Sequence, residues 1–136
     1  LGSGLFRLPT SWQHQVRIGI GSDVGAGTSF SLLRTLGEAY KVAQLQSYRL
    51  RASEAFYHAT LGGAHALRLD DKIGNFQSGK EADLVVIDPA VTPLQRLRSA
   101  RCQDVYEQLF VLMTLGDERN ISETWVNGEQ VWCNEG

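Results

Sequence analysis

The sequence predicts an α/β chain that holds only the last strand–helix part of a barrel, incomplete as a stand-alone fold. Three observations point there. Residues 16–20, with Val16, Ile18 and Ile20 apolar and β-favouring, read as a buried strand that runs into a carboxylate, Asp23. A second strand, residues 82–88, follows only after helical segments, and a hairpin around Asn127-Gly128 comes last. A parallel strand needs partners on both sides, and the first strand has none nearby in sequence. A barrel of eight strand–helix units takes about 250 residues, whereas this chain has 136. Large apolar patches, or self-association that covers them, are therefore expected.

Taken in order, residues 1–8 are a Gly-rich apolar loop, and its start reads as a cut edge. Residues 9–15 form a turn and a short helix that Thr10 or Ser11 could cap, with His14 on its polar surface. After the strand, Asp23 is followed by the small residues Val24, Gly25, Ala26 and Gly27. Thr28 or Ser29 offers an N-cap for a helix over residues 30–45, where Leu32, Leu33, Leu36, Ala39, Tyr40 and Ala43 repeat at three and four. Gly37 weakens its interior. Ser53 caps a helix over residues 54–67 with Glu54 in its first turn. His58 and His65 stand two turns apart on it, with side chains about 10 Å apart, too far to share a metal without a third element.

Asp70-Asp71-Lys72 and residues 77–80 are turns around a short strand or bend at residues 73–76. The strand over residues 82–88 is stopped by Pro89. Thr92 and Pro93 start a further helix as cap and first residue. Residues 103–115 form another, with Val105, Leu109, Leu112 and Met113 inward. Together with the family resemblance given below, which implies a small β domain beside the barrel, the organisation is residues 1–70 as the last barrel part, 71–91 as return strands, 92–116 as C-terminal helices and 117–136 as the hairpin of the small domain.

Composition narrows the partners. Apolar residues make up 43% and charged residues 21%, with a net charge of −2, which gives no reason to expect nucleic acid or an anionic membrane. No transmembrane run or signal peptide is visible, and Cys102 and Cys133 have no zinc-motif or disulfide spacing, so a cytoplasmic setting is the default. The residue that invites chemistry is Asp23. A carboxylate at the C-terminal end of a buried strand sits where reactive groups gather in α/β proteins, although an Asp also serves turns and caps.

The block Gly21-Ser22-Asp23-Val24-Gly25-Ala26-Gly27-Thr28 resembles the last-strand motif of the amidohydrolase superfamily, and within it that of the guanine deaminases. The opening residues 1–6, Glu54-Ala55-Phe56-Tyr57, residues 59–64, Ile73-Gly74-Asn75-Phe76, residues 79–86 and Trp125-Val126-Asn127-Gly128 resemble other blocks of the same family. The resemblance implies that Asp23 binds a catalytic zinc and takes the proton from its water, with guanine converted to xanthine and ammonia in purine catabolism. The family's other ligands, an early His-x-His pair and further histidines, and its general-acid glutamate precede this region, and His14, His58 and His65 do not fall on ligand positions. The chain alone is thus expected to bind no zinc and to be inactive, with the missing N-terminal part of the same enzyme and further copies of itself as partners. Two alternatives are a non-catalytic, self-associating interaction module and an amidohydrolase for another purine or a triazine.

Overall fold

The computed structural model describes residues 2 and 4–134, so Leu1 and Ser3 of the opening loop lie outside it. The elements run α1 (Leu8–Gln13), α2 (Leu32–Leu45), α3 (Ala52–Ala59), α4 (Leu61–Leu67), β1 (Leu84–Ile87), α5 (Pro93–Ser99), α6 (Val105–Leu115), a 3-10 turn (Glu118–Asn120), β2 (Ile121–Val126) and β3 (Glu129–Cys133). The helices gather around one apolar cluster: Leu33, Leu36 and Ala43 of α2, Ala52 and Ala55 of α3, Met113 of α6, with Leu8 and Leu50. Each buried leucine contributes roughly 1.5–3 kcal/mol relative to exposure. Gly37 has a packing reason: a Cβ there would stand 3.0 Å from the Met113 carbonyl oxygen, so the glycine lets α2 and α6 approach closely.

The first predicted strand is not a strand. Residues 16–20 are extended but join no sheet, with Ile18 and Ile20 half-buried and Val16 exposed. The described chain places no strand beside it, so the segment takes its hydrogen bonds from helices instead: Val16 N–H donates to Ser11 O of α1, and two bonds run to α3. The Ile20 N–H donates to the His58 carbonyl at 3.1 Å, and the His58 Nδ1–H donates to the Ile18 carbonyl at 3.1 Å. Two aromatic contacts hold His58 in place: it stacks on Trp12 at 5.7 Å between centroids and meets Tyr57 edge-on.

The expected single helix over residues 54–67 is broken at Thr60, whose backbone (φ −126°, ψ −104°) leaves the helical region. A helix end leaves carbonyls without partners, and here each of three finds one. Phe56 O accepts from the Thr60 hydroxyl at 2.8 Å, Tyr57 O from the Thr60 N–H at 3.1 Å, and His58 O from Ile20. Two caps also differ from expectation. α3 begins after Arg51, whose N–H donates to the Glu54 carboxylate at 3.3 Å, so Ser53 lies inside the helix. α2 begins after Ser31, whose N–H donates to Ser29 Oγ at 3.0 Å. α1 starts earlier than expected, at Leu8 with Pro9 in its first turn, and Ser11 bonds back to the Arg7 carbonyl instead of capping.

The three strands form one antiparallel sheet in the order β1-β2-β3. Leu84 pairs with Trp125 and Ile87 with Ile121, and Val126 faces Glu129 across the Asn127-Gly128 turn, both of whose residues have positive φ as a type I′ turn requires. β1 is less covered than the sequence suggests: Val85 and Val86 are exposed. Val105 likewise faces solvent at the start of α6. Exposed apolar side chains are widespread, with Phe30 83% and Phe76 86% accessible.

A polar knot ties the helices to the sheet. Gln95 and Asn120 are both buried and bond each other twice, at 3.0 and 3.1 Å. Asn120 Nδ2 also donates to the Asp88 carbonyl and its Oδ1 accepts from the Asp117 N–H, while Gln95 Nε2 donates to the Leu115 carbonyl. Beside it, Asp117 is buried and accepts from Arg119 Nη2 at 2.6 Å, with Arg34 at 3.7 Å. The Arg119 hydrogen bond holds the Asp117 carboxyl below the usual carboxylate range; burial opposes this, and the Arg119 backbone bond and the charges of Arg119 and Arg34 add to it. A carboxylate depressed in the folded state stabilises the fold above its ordinary pKa, and that contribution is lost as pH falls through the folded value. Asp117→Asn is expected to lower stability at neutral pH and to flatten the acid limb of a plot of denaturation midpoint against pH. An unchanged acid limb would exclude this role.

Candidate functional site

The extended segment gripped by His58 delivers the chain to Asp23, which sits in the left-handed region at φ 47°. From there the backbone folds into a tight loop: the Asp23 carbonyl accepts from the Ala26 N–H at 3.1 Å and from the Gly27 N–H, and Val24 and Gly27 form a bridge. The main chain of Asp23 therefore closes the turn. Its side chain is exposed and has no hydrogen bond or ion pair among the described residues. It is not the cap of α2, whose N-cap, Ser31, stands eight positions further on.

Gly27 makes the loop possible. A Cβ there would overlap the Ser22 carbonyl oxygen and stand 2.8 Å from that of Asp23, both backbone atoms that cannot swing aside. Gly27→Ala is therefore expected to displace Asp23 without touching its carboxylate. Opening of the turn is the expected result, read as faster hydrogen exchange of the amides at positions 26 and 27, and unchanged protection would exclude this role.

Next to this loop lies an open recess of about 710 Å³, bounded by Ser22, Gly27 and Thr28, by Arg34 and Tyr40 of α2, and by the end of α6. The Asp23 side chain is not among its walls. The histidines do not join Asp23. His14 is exposed at the end of α1, His58 is buried as a strut, and His65 pairs through Nδ1 with Asp70 at 3.0 Å while its carbonyl accepts from Arg17. No group of three or more His, Cys, Asp or Glu able to hold a metal occurs among the described residues. The described donors therefore do not close a metal site. Cys102 and Cys133 are both free thiols.

Sequence reasoning missed two features. The Gln95–Asn120 knot spans 25 positions, and only the Thr92-x-x-Gln95 capping pattern hinted at part of it. A groove lined by arginines between α3 and α6 left no local signal at all.

Known proteins resemble this chain over nearly its whole length. The description "Amidohydrolase family" matches residues 1–131. The chain is 60% identical over 132 residues to guanine deaminase of Escherichia coli strain K12, covering 97% of this chain and 30% of that protein. It superposes on an E. coli guanine deaminase structure with a TM-score of 0.95 at 58% identity, over 98% of this chain and 32% of that one. A C. acetobutylicum guanine deaminase with guanine bound in its active site superposes with a TM-score of 0.79 at 28% identity, over 97% of this chain and 31% of that one. The chain thus spans about 30% of the length of the curated relatives it matches. Its mixed helices and small antiparallel sheet correspond to about a third of such an enzyme. The chain belongs to the amidohydrolase family.

Proposed function

We propose that this chain is the C-terminal portion of a zinc-dependent guanine deaminase, which converts guanine and water to xanthine and ammonia in purine catabolism. In this reading residues 1–70 are the last strand–helix part of the barrel, 71–91 return to the small β domain, 92–116 are C-terminal helices, and 117–136 add the hairpin of the small domain. The observation that carries it is the Asp23 carboxylate, held out of a closed backbone turn with no partner of its own among the described residues. A carboxylate left unpaired in an ordered loop is available for proton transfer.

In the reaction, water adds at C2 of guanine and the bond from C2 to the exocyclic nitrogen breaks. Of the two protons that water gives up, one ends on N3 of the product and Asp23 carries the other to the departing nitrogen, which leaves as ammonia. A bound zinc would bring the pKa of its water to about 7 and supply hydroxide at neutral pH. This chain contributes one of its ligands, so the chain by itself should not turn over guanine.

The test is the full-length protein assayed for xanthine and ammonia release from guanine, beside other purines and a chlorinated triazine. Guanine is expected to be the preferred substrate by kcat/KM. Turnover of another purine or triazine in preference to guanine would replace the substrate assignment, and no turnover of any would favour a non-catalytic module.

A further inference from the structure

Arg49 and Arg51 stand just before α3, and Arg98 and Arg101 stand at and just beyond the end of α5. The fold brings all four to the wall of one groove of about 840 Å³, within the size range of small-molecule sites. They are four of the thirteen lysines and arginines in a chain whose net charge is −2. None of them forms an ion pair among the described residues, whereas Arg34, Lys41 and Arg119 all do. The carboxylates at the groove serve helix starts: Asp104 accepts from the Glu107 N–H at 2.9 Å, and Glu107 from the Gln103 N–H at 2.8 Å. Glu54, close to Arg51, accepts from the Tyr48 hydroxyl at 2.6 Å and from the Arg51 N–H.

Four guanidinium groups with no direct ion pair, against the two carboxylates of Asp104 and Glu107 in the same lining, leave the concavity net positive and concentrate anions there. The planar guanidinium fork matches phosphate oxygens, and four forks on two facing elements suit several linked phosphates better than a single one. Tyr106, 64% accessible, adds an aromatic face at the same groove. We propose that this groove binds a small anion carrying two or more linked phosphate groups. The residues involved do not include Asp23 or its loop, so the proposal stands apart from the deaminase reading.

The test is calorimetric titration of the full-length protein with inorganic tripolyphosphate, orthophosphate and GTP at near-physiological salt. Saturable binding of tripolyphosphate or GTP is expected, at least about tenfold tighter than orthophosphate and weakening as salt rises. GTP binding more tightly than tripolyphosphate, with the difference lost in Tyr106→Ala, identifies a nucleotide; the reverse order identifies inorganic polyphosphate. Arg98→Gln/Arg101→Gln is expected to weaken binding by about tenfold or more while leaving guanine turnover unchanged. Arg101→Lys, which keeps the charge and loses the fork, should cost less than Arg101→Gln. Absence of saturable binding, orthophosphate binding as tightly as tripolyphosphate, or an unchanged affinity in the double variant would overturn the proposal.

Discussion

Asp23→Asn in the full-length protein is expected to lower kcat for guanine by about 10²–10⁴-fold, the span typical for loss of a positioned proton carrier. Asparagine is nearly isosteric and tolerates the left-handed backbone that this position adopts. The loop is closed by the Asp23 carbonyl and by the absence of a Cβ at Gly27, neither of which changes. The exposed side chain has no partner within the described chain to lose. Thermal stability should therefore stay within about 0.5 kcal/mol of the parent. Steady-state kinetics and a melting curve on the same preparation separate the two quantities. Near-normal turnover in a folded variant would remove Asp23 from the reaction. A large stability loss would make it a structural residue.

Asn120→Ala should have the largest effect on stability, a loss of about 3 kcal/mol read by urea denaturation. The side chain is fully buried and serves four partners: the Asp88 carbonyl, the Asp117 N–H and both ends of the Gln95 amide. Truncation strands several of these at once, and a buried polar group left without a partner costs roughly 1–3 kcal/mol. Asn120→Asp tests the same knot differently. It replaces the donor to Asp88 O and Gln95 Oε1 with an acceptor, so it should destabilise at least as much as alanine. A loss under about 1 kcal/mol in both variants would show that the knot relaxes around the change.

What could be read from sequence follows from how local the determinants are. The Asn127-Gly128 hairpin was readable because its turn needs two residues of positive φ, and those two types supply it. Thr92 and Pro93 fix the start of α5 within one turn of chain. The break at Thr60 was hidden because Ala59, Leu61, Gly62 and Gly63 continue a small-residue helical pattern straight through it. The strand over residues 16–20 was misread because strand propensity says nothing about whether a pairing edge is present; the apolar alternation survives as Ile18 and Ile20 packing on the helical core. At the candidate site, the type and neighbourhood of Asp23 were evident from its motif. Its unpartnered side chain was not, since that depends on a loop closed by the Asp23 carbonyl and not by its carboxylate. The arginine groove depends on residues some fifty positions apart meeting in space.

The interruption at Thr60 makes the arm that carries Asp23 answer to a helix end. At that end, His58 holds the arm through both its carbonyl and its imidazole, beside the Arg17 bond to the His65 carbonyl. Fraying at the junction of the two short helices and release of the arm are consequently a single opening event. The deuterium uptake of the Ile20 amide should keep time with the last turn of α3, so substitutions at that junction would loosen the carboxylate from a distance.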